Sequence, residues 1–341
     1  MRRRGIPALA AVLTAFALGG CGGGSDKPEL QPGSLRLGAV LGPTAWDREV
    51  LTGVRAAVKS LDRSGGLDGK VRVNLVVGEA RQLAADGVRV VVLPCDAADQ
   101  AAAAATLRRH QGFVLEPCNT GLWQRFHAVW PVSVSQTAEA RVLIGYAHDQ
   151  HYQRIAVIGD GRMARAVRAA ARQAGLRFAA PRRADAVVVA LASPYAQAAV
   201  ARLRASGIDT PVLATHGMDD VGQIARHRSA LDGVVFTAFG FADPGSELDE
   251  LDERYRALTG HHPSSTVAAL GYDAVRVLDY AAVDAGSTRP QSLRASMHGL
   301  DAYGATGKIS YPRQGARSPA VSVALIRINH GQLDLVDRFD T

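Results

Sequence analysis

The chain has 341 residues, 47% of them hydrophobic and 21% charged, enough apolar surface for about two folded domains and too much for a disordered polymer. Its 39 Lys and Arg exceed its 32 Asp and Glu, and three of those arginines (Arg2, Arg3, Arg4) stand at the extreme N-terminus. The surplus elsewhere is too mild to argue for nucleic acid, and no window of about 20 apolar residues exists from which to build a polytopic membrane protein.

Residues 1–20 read as an export signal. A basic start is followed by an apolar run from Ile6 to Leu18 that is too short to span a bilayer. The sequence Leu18-Gly19-Gly20-Cys21 resembles the lipobox of bacterial lipoproteins. That resemblance implies that Cys21 becomes the lipidated first residue of the mature chain, held at the outer face of the cell membrane by two or more acyl chains. Residues 21–33, rich in Gly, Ser and Pro, are then a flexible tether. An ordinary cleaved signal with an incidental cysteine is the alternative. Cys95 and Cys118 remain, and outside the cytoplasm two such thiols are expected to pair. Each follows an apolar run, 88–93 and 113–115, so neighbouring parallel strands would bring their loops together. Two separate buried thiols stay open, because sequence does not give geometry.

From Ser34 onward strands alternate with helices. Residues 35–41 read as a strand, 50–61 as a helix, 71–77 and 88–93 as strands, 100–110 as an Ala-rich helix and 113–115 as a strand. Near-continuous apolar strands joined by crossover helices indicate a parallel sheet covered on both faces. The pattern restarts after Val132, with helix 137–148, strand 154–158, helix 163–174, strand 186–191, helix 195–206 and strands 211–214 and 233–237. Two further helices lie beyond Phe241. The second, near 265–283, sets Val267, Leu270, Ala274, Val275, Leu278 and Ala282 on one stripe. Short strands at 307–311, 321–328 and 333–336 end the chain.

This order resembles the branched-chain amino-acid-binding proteins, type I periplasmic solute-binding proteins that serve ABC importers. The resemblance rests on Gly42-Pro43, Ser64-Gly-Gly-Leu-Asp-Gly-Lys70, Gln153-Arg-Ile-Ala-Val-Ile158, Leu270-Gly-Tyr-Asp-Ala-Val275, Asp284-Ala-Gly-Ser287 and Gly304 to Tyr311, and covers about 34–338. It implies an α/β fold of two doubly wound parallel-sheet lobes joined by three hinge crossings, near Pro131, Phe239 and Ile309. Lobe I would comprise 34–131 plus 241–308, and lobe II 132–240 plus 309–341. The implied function is capture of a small polar metabolite (amino acid, amide or related) between the lobes. Delivery would be to a permease and its ATPase subunits, by a monomer with no catalytic step, cofactor or metal.

The resemblance also places the ligand-binding residues. Trp46 falls in the loop whose aromatic residue covers the ligand. Asp96 stands where the family presents a serine to a ligand carboxylate, and Asn119 and Thr120 occupy the second lobe I loop. Ser193 and Tyr195 match a lobe II loop that often carries an aromatic residue. His216 stands where amino-acid binders place an acid against the α-ammonium, and Arg162 either reaches across the cleft or is solvated. Asp96 and His216 together invert the polarity that suits a leucine, isoleucine or valine zwitterion. A cationic or donor group towards lobe I and an anion or acceptor towards lobe II fit better. The segments 77–87 and 178–186 are shorter than their family counterparts, which implies a shallower pocket or a different ligand.

Two other readings compete. Gly159-Asp-Gly161-Arg-Met-Ala164 after a strand matches G-x-G-x-x-A, with Arg182 and Arg183 near where a 2′-phosphate would lie, as in an NADP-dependent oxidoreductase. The same two-lobed fold also serves ligand sensing, and a lipoprotein acting on a membrane signalling partner is the second alternative. The sequence has no G-x-S-x-G, H-E-x-x-H or C-x-x-C, and adjacent His261 and His262 point their side chains apart.

Overall fold

The computed structural model describes residues 29–95, 97–315 and 317–341. The signal at 1–20, Cys21, tether residues 21–28 and Asp96 lie outside the described residues.

The first sheet is built from β1 (Gly33–Val40), β2 (Val71–Gly78), β3 (Val90–Val92), β4 (Phe113–Glu116) and β5 (Val129–Pro131). Its order is β2-β1-β3-β4-β5, all parallel. Crossover helices α1 (Ala45–Arg63), α2 (Ala80–Ala85) and α3 (Ala97–Arg109) cover it. The runs Val90–Val92 and Phe113–Leu115 are buried at every position, as expected for strands enclosed on both faces.

The second sheet is fed by α4 (Gln136–Asp149), β6 (Arg154–Ile158), α5 (Arg162–Gln173), β7 (Arg177–Phe178), β8 (Ala186–Val189), α6 (Tyr195–Ala205), β9 (Val212–Ala214), α7 (Val221–Arg226), α8 (Arg228–Leu231) and β10 (Val235–Ala238). The chain then forms α9 (Glu247–Thr259), α10 (Val267–Ala285), α11 (Pro290–Ser296), β11 (Asp301–Gly304), β12 (Gly307–Ser310), β13 (Ala320–Asn329) and β14 (Gln332–Asp340). Strands β7-β6-β8-β9-β10 are parallel, and β13 closes the row antiparallel to β10, with β14 on its other side. The β11–β12 hairpin meets β13 only at Ile309 and Ser310, while Ala302, Ile309 and Tyr311 sink into the core of the first lobe. The result is an α/β molecule of two lobes, each with apolar cores on the faces of its sheet. The chain passes between them after β5, after β10 and between β12 and β13.

Helices α9 and α10 return to the first lobe, where α10 packs against α1. Contact there is close: a Cβ on Gly53 would stand 1.9 Å from the carbonyl oxygen of Ala268, and one on Gly271 2.0 Å from that of Val50. The two glycines let the helix backbones touch.

Candidate functional site

The strand tips of the two sheets face each other across a gap, and local chemistry fixes the loops there. Helix α1 begins with a capping box: Thr44 Oγ1 accepts from Asp47 N, and Asp47 Oδ2 accepts from Thr44 N at 2.9 Å. Asp47 Oδ1 also accepts from Cys95 N at 2.6 Å, which ties the start of α1 to the tip of β3. Any Cβ on Gly42 would fall 2.4 Å from Asp47 Oδ2, so glycine lets the carboxylate fold back. Trp46 is carried to the gap by this arrangement. Cys95 and Cys118 form a disulfide across the tips of β3 and β4.

Beyond that bridge, Asn119 staples the lobe to two crossings. Its backbone N–H donates to Ser133 Oγ, and its Nδ2 donates to the Ser133 carbonyl at 2.9 Å and to Ser318 Oγ at 3.1 Å. Among the described residues, buried Asn119 Oδ1 has no donor. Thr120 is committed to the protein: its N–H donates to Glu116 Oε1, and its hydroxyl lies 2.6 Å from Gln100 Oε1 and 2.7 Å from Glu116 Oε1. One hydroxyl proton cannot serve both acceptors. A protonated Glu116 resolves this by donating to Thr120, which then donates to Gln100. Burial raises the Glu116 carboxyl to about 7, against the lowering effect of the Thr120 hydrogen bonds.

From the second lobe comes the 215–219 turn after β9. Gly217 is pressed so closely on Leu191 that a Cβ would lie 1.9 Å from its carbonyl oxygen, and buried Gln197 donates to the carbonyls of Gly217 and Met218. That turn sets His216 on Glu139, a fully buried acid of α4. Glu139 Oε1 accepts from His216 N–H at 2.9 Å and from Thr237 Oγ1 at 2.6 Å, and Oε2 lies 2.7 Å from His216 Nδ1. Burial opposes charge on both groups. For the imidazole, the charge and hydrogen bond of Glu139, helped by Asp219, outweigh burial and raise its pKa. For Glu139, the charge of His216 leads the terms that overcome burial and lower its pKa. The pair is therefore ionic, and Nε2 is the ring nitrogen left for a guest. The ring itself is wedged between Trp46 of the first lobe, at 5.4 Å, and Phe239 of the second crossing, at 5.0 Å.

Trp46, Cys95, Cys118, Asn119, Thr120 and His216 thus line one inter-lobe cavity of about 100 Å³, together with Ser133, Val134, Gln136, Glu139 and Phe239. Arg162 reaches across the gap, with a guanidinium N–H donating to the Thr120 carbonyl at 2.6 Å. Ser193 and Tyr195 are not among the lining residues. Ser193 donates to Asp220 Oδ2, and Tyr195, 65% exposed, starts α6. Sequence reasoning missed Glu139, and it named Phe239 as a crossing but not as a wall of the cavity. The available signal was an acid at 139 on the same helical face as apolar Leu143 and Ala147.

Gly159 of the G-x-G match is required by packing: at φ +131° a Cβ would meet the Ala190 carbonyl oxygen at 2.4 Å. Among the described residues no group of three or more His, Cys, Asp or Glu is placed to hold a metal. No described helix is long and apolar enough to cross a membrane.

Solved structures share this architecture at low identity. The branched-chain amino acid transporter substrate-binding protein LivJ of Streptococcus pneumoniae, in complex with isoleucine, superposes with a TM-score of 0.76 at 17% identity, covering 90% of this chain and 99% of that one. The fold is that of the type I periplasmic binding proteins. Other members of this fold match similarly. A leucine-binding protein from Thermotoga maritima gives 0.75 at 19% identity over 89% and 98% of the two chains. A solute-binding protein from R. palustris in complex with benzoate gives 0.74 at 15% over 89% and 96%. The profile of a family described as periplasmic binding protein matches residues 177–332. No curated protein matches the chain. At these identities the likeness is one of fold.

Proposed function

We propose that this chain is the extracytoplasmic solute-binding component of an ABC importer, anchored by lipid at Cys21, that captures a small polar metabolite between its lobes. The observation that carries this reading is the cavity itself, walled by Trp46, Asn119 and Thr120 from one lobe, His216 and Glu139 from the other, and Ser133 and Phe239 from the crossings. A ligand touching both lobes favours the arrangement in which they meet, so closure reports occupancy. Permease and ATPase subunits are the partners this scheme requires.

The ligand is not a branched-chain zwitterion in this proposal. Both oxygens of Glu139 are engaged by His216 and Thr237, so the second lobe offers an α-ammonium no free carboxylate there. It offers an imidazolium N–H, which suits an acceptor or an anion. Titration of the full chain with a metabolite panel, read by intrinsic tryptophan fluorescence, tests this. A saturable change with a polar solute that is lost in Trp46→Phe supports the reading. No response to any class of solute contradicts it.

A further inference from the structure

Beside the cavity, and sharing Asn119, Thr120 and Gln136 with it, runs a wider groove of about 680 Å³ between the lobes. That volume lies within the usual range of ligand sites, whereas the inner cavity is smaller. Four arginines line the groove: Arg125 from the first lobe, Arg141 from α4, and Arg162 and Arg165 from α5. Among the described residues, no Asp or Glu lines it.

None of the four meets a carboxylate among the described residues, unlike Arg154, Arg254, Arg256, Arg276 and Arg338 elsewhere. In the groove, Arg162 donates to the Thr120 carbonyl and Arg165 to the Asp160 carbonyl, while Arg125 lies over the Phe126 ring. Arg141 makes no hydrogen bond or ion pair among the described residues. Like charges gathered on one concave wall repel, and an anion seated among them removes that repulsion while accepting several charge-assisted hydrogen bonds. Both neighbouring helices begin at the groove, and α5 starts at Gly161 without a side-chain cap, so its first N–H groups add to the positive field.

We infer that the groove takes the greater part of a solute bearing two or more anionic oxygen groups, carboxylates or phosphates, held by Arg125, Arg141, Arg162 and Arg165, with one end directed to His216. This rests on the solute-binding reading and names the ligand's class.

Calorimetric titration of the full chain with citrate, pyrophosphate and leucine, at low salt and at about 0.3 M NaCl, tests it. The inference expects citrate or pyrophosphate to bind at one site, about tenfold or more weaker at the higher salt, and leucine not to bind. Whichever anion binds identifies the source of the charge. Arg141→Gln combined with Arg165→Gln is expected to weaken binding about tenfold or more without lowering the melting temperature of the free protein, since both side chains are exposed. Arg72→Gln, on the outer strand β2, is the control and leaves affinity unchanged. Anion binding that survives the double variant, or that Arg72→Gln weakens equally, overturns the inference. So does leucine binding while both anions fail, a result that leaves the solute-binding reading intact. If nothing binds and native mass spectrometry finds no small molecule on the purified chain, the solute-binding reading and this inference fall together.

Discussion

Glu139 and His216 hold each other in charged forms that neither would keep alone in a buried site. Breaking such a pair leaves one uncompensated charge, so His216→Ala is expected to cost about 3–5 kcal/mol in urea unfolding near pH 6, and the double variant with Glu139→Gln to recover part of it. The pH window follows from the shifts. The raised imidazole contributes fully below its ordinary value of 6.5 and loses that contribution as pH climbs through the raised one. The lowered carboxyl contributes fully above 4.5 and loses it as pH falls through the depressed one. The pair is therefore at full strength between those two ordinary values.

Glu116 has the opposite sign. Its folded-state value near 7 lies above the ordinary 4.5, so the folded chain binds the proton more readily and stability falls as pH rises between the two. Glu116→Gln should therefore stabilise the protein at pH 8 by about 1–2 kcal/mol, the lost carboxylate penalty less the cost of a buried amide N–H. That gain should disappear in melts near pH 4.5 or below. A gain of equal size at both pH values would show that ionisation is not its cause.

At the scale of elements, the contact between α1 and α10 depends on Gly53 and Gly271. Gly53→Ala forces a methyl into the backbone of α10 and is expected to cost about 2–3 kcal/mol in chemical unfolding. The bridge between the tips of β3 and β4 closes a 23-residue separation, so replacing both cysteines by serine should cost roughly 3 kcal/mol. A change well under 1 kcal/mol would mean the tips are held by Asp47, Asn119 and Gln100 alone.

Most strands of both sheets were legible because they are enclosed on both faces and must be written as apolar runs such as Val90–Val92 and Ala186–Val189. The short helix α2 and the two-residue β7 were not, since six residues scarcely show a helical period and two show none. Strand β11 escaped because its Gly and Tyr belong to a hairpin defined by its packing on α10. Trp46, in the first turn of α1, and Asn119, Thr120 and His216, just beyond strand tips, were named through the family resemblance. Glu139 was not, because the role of a helical acid is set by the histidine that a distant turn lays upon it.

For the molecule as a whole, closure is written in a few contacts between lobes: Arg162 to Thr120, Trp46 against His216, and Thr266 N–H to Asp219 at 2.8 Å. Arg162→Ala removes the first of these and should weaken solute binding about tenfold while leaving the fold intact, as circular dichroism would check. The central claim is that the two lobes clamp one small molecule between their strand tips. Native mass spectrometry of the gently purified chain tests it most directly. The account predicts a single small adduct in one-to-one stoichiometry, lost on unfolding and reduced in Arg162→Ala. A bare chain that also gains no adduct when incubated with a metabolite extract would contradict it.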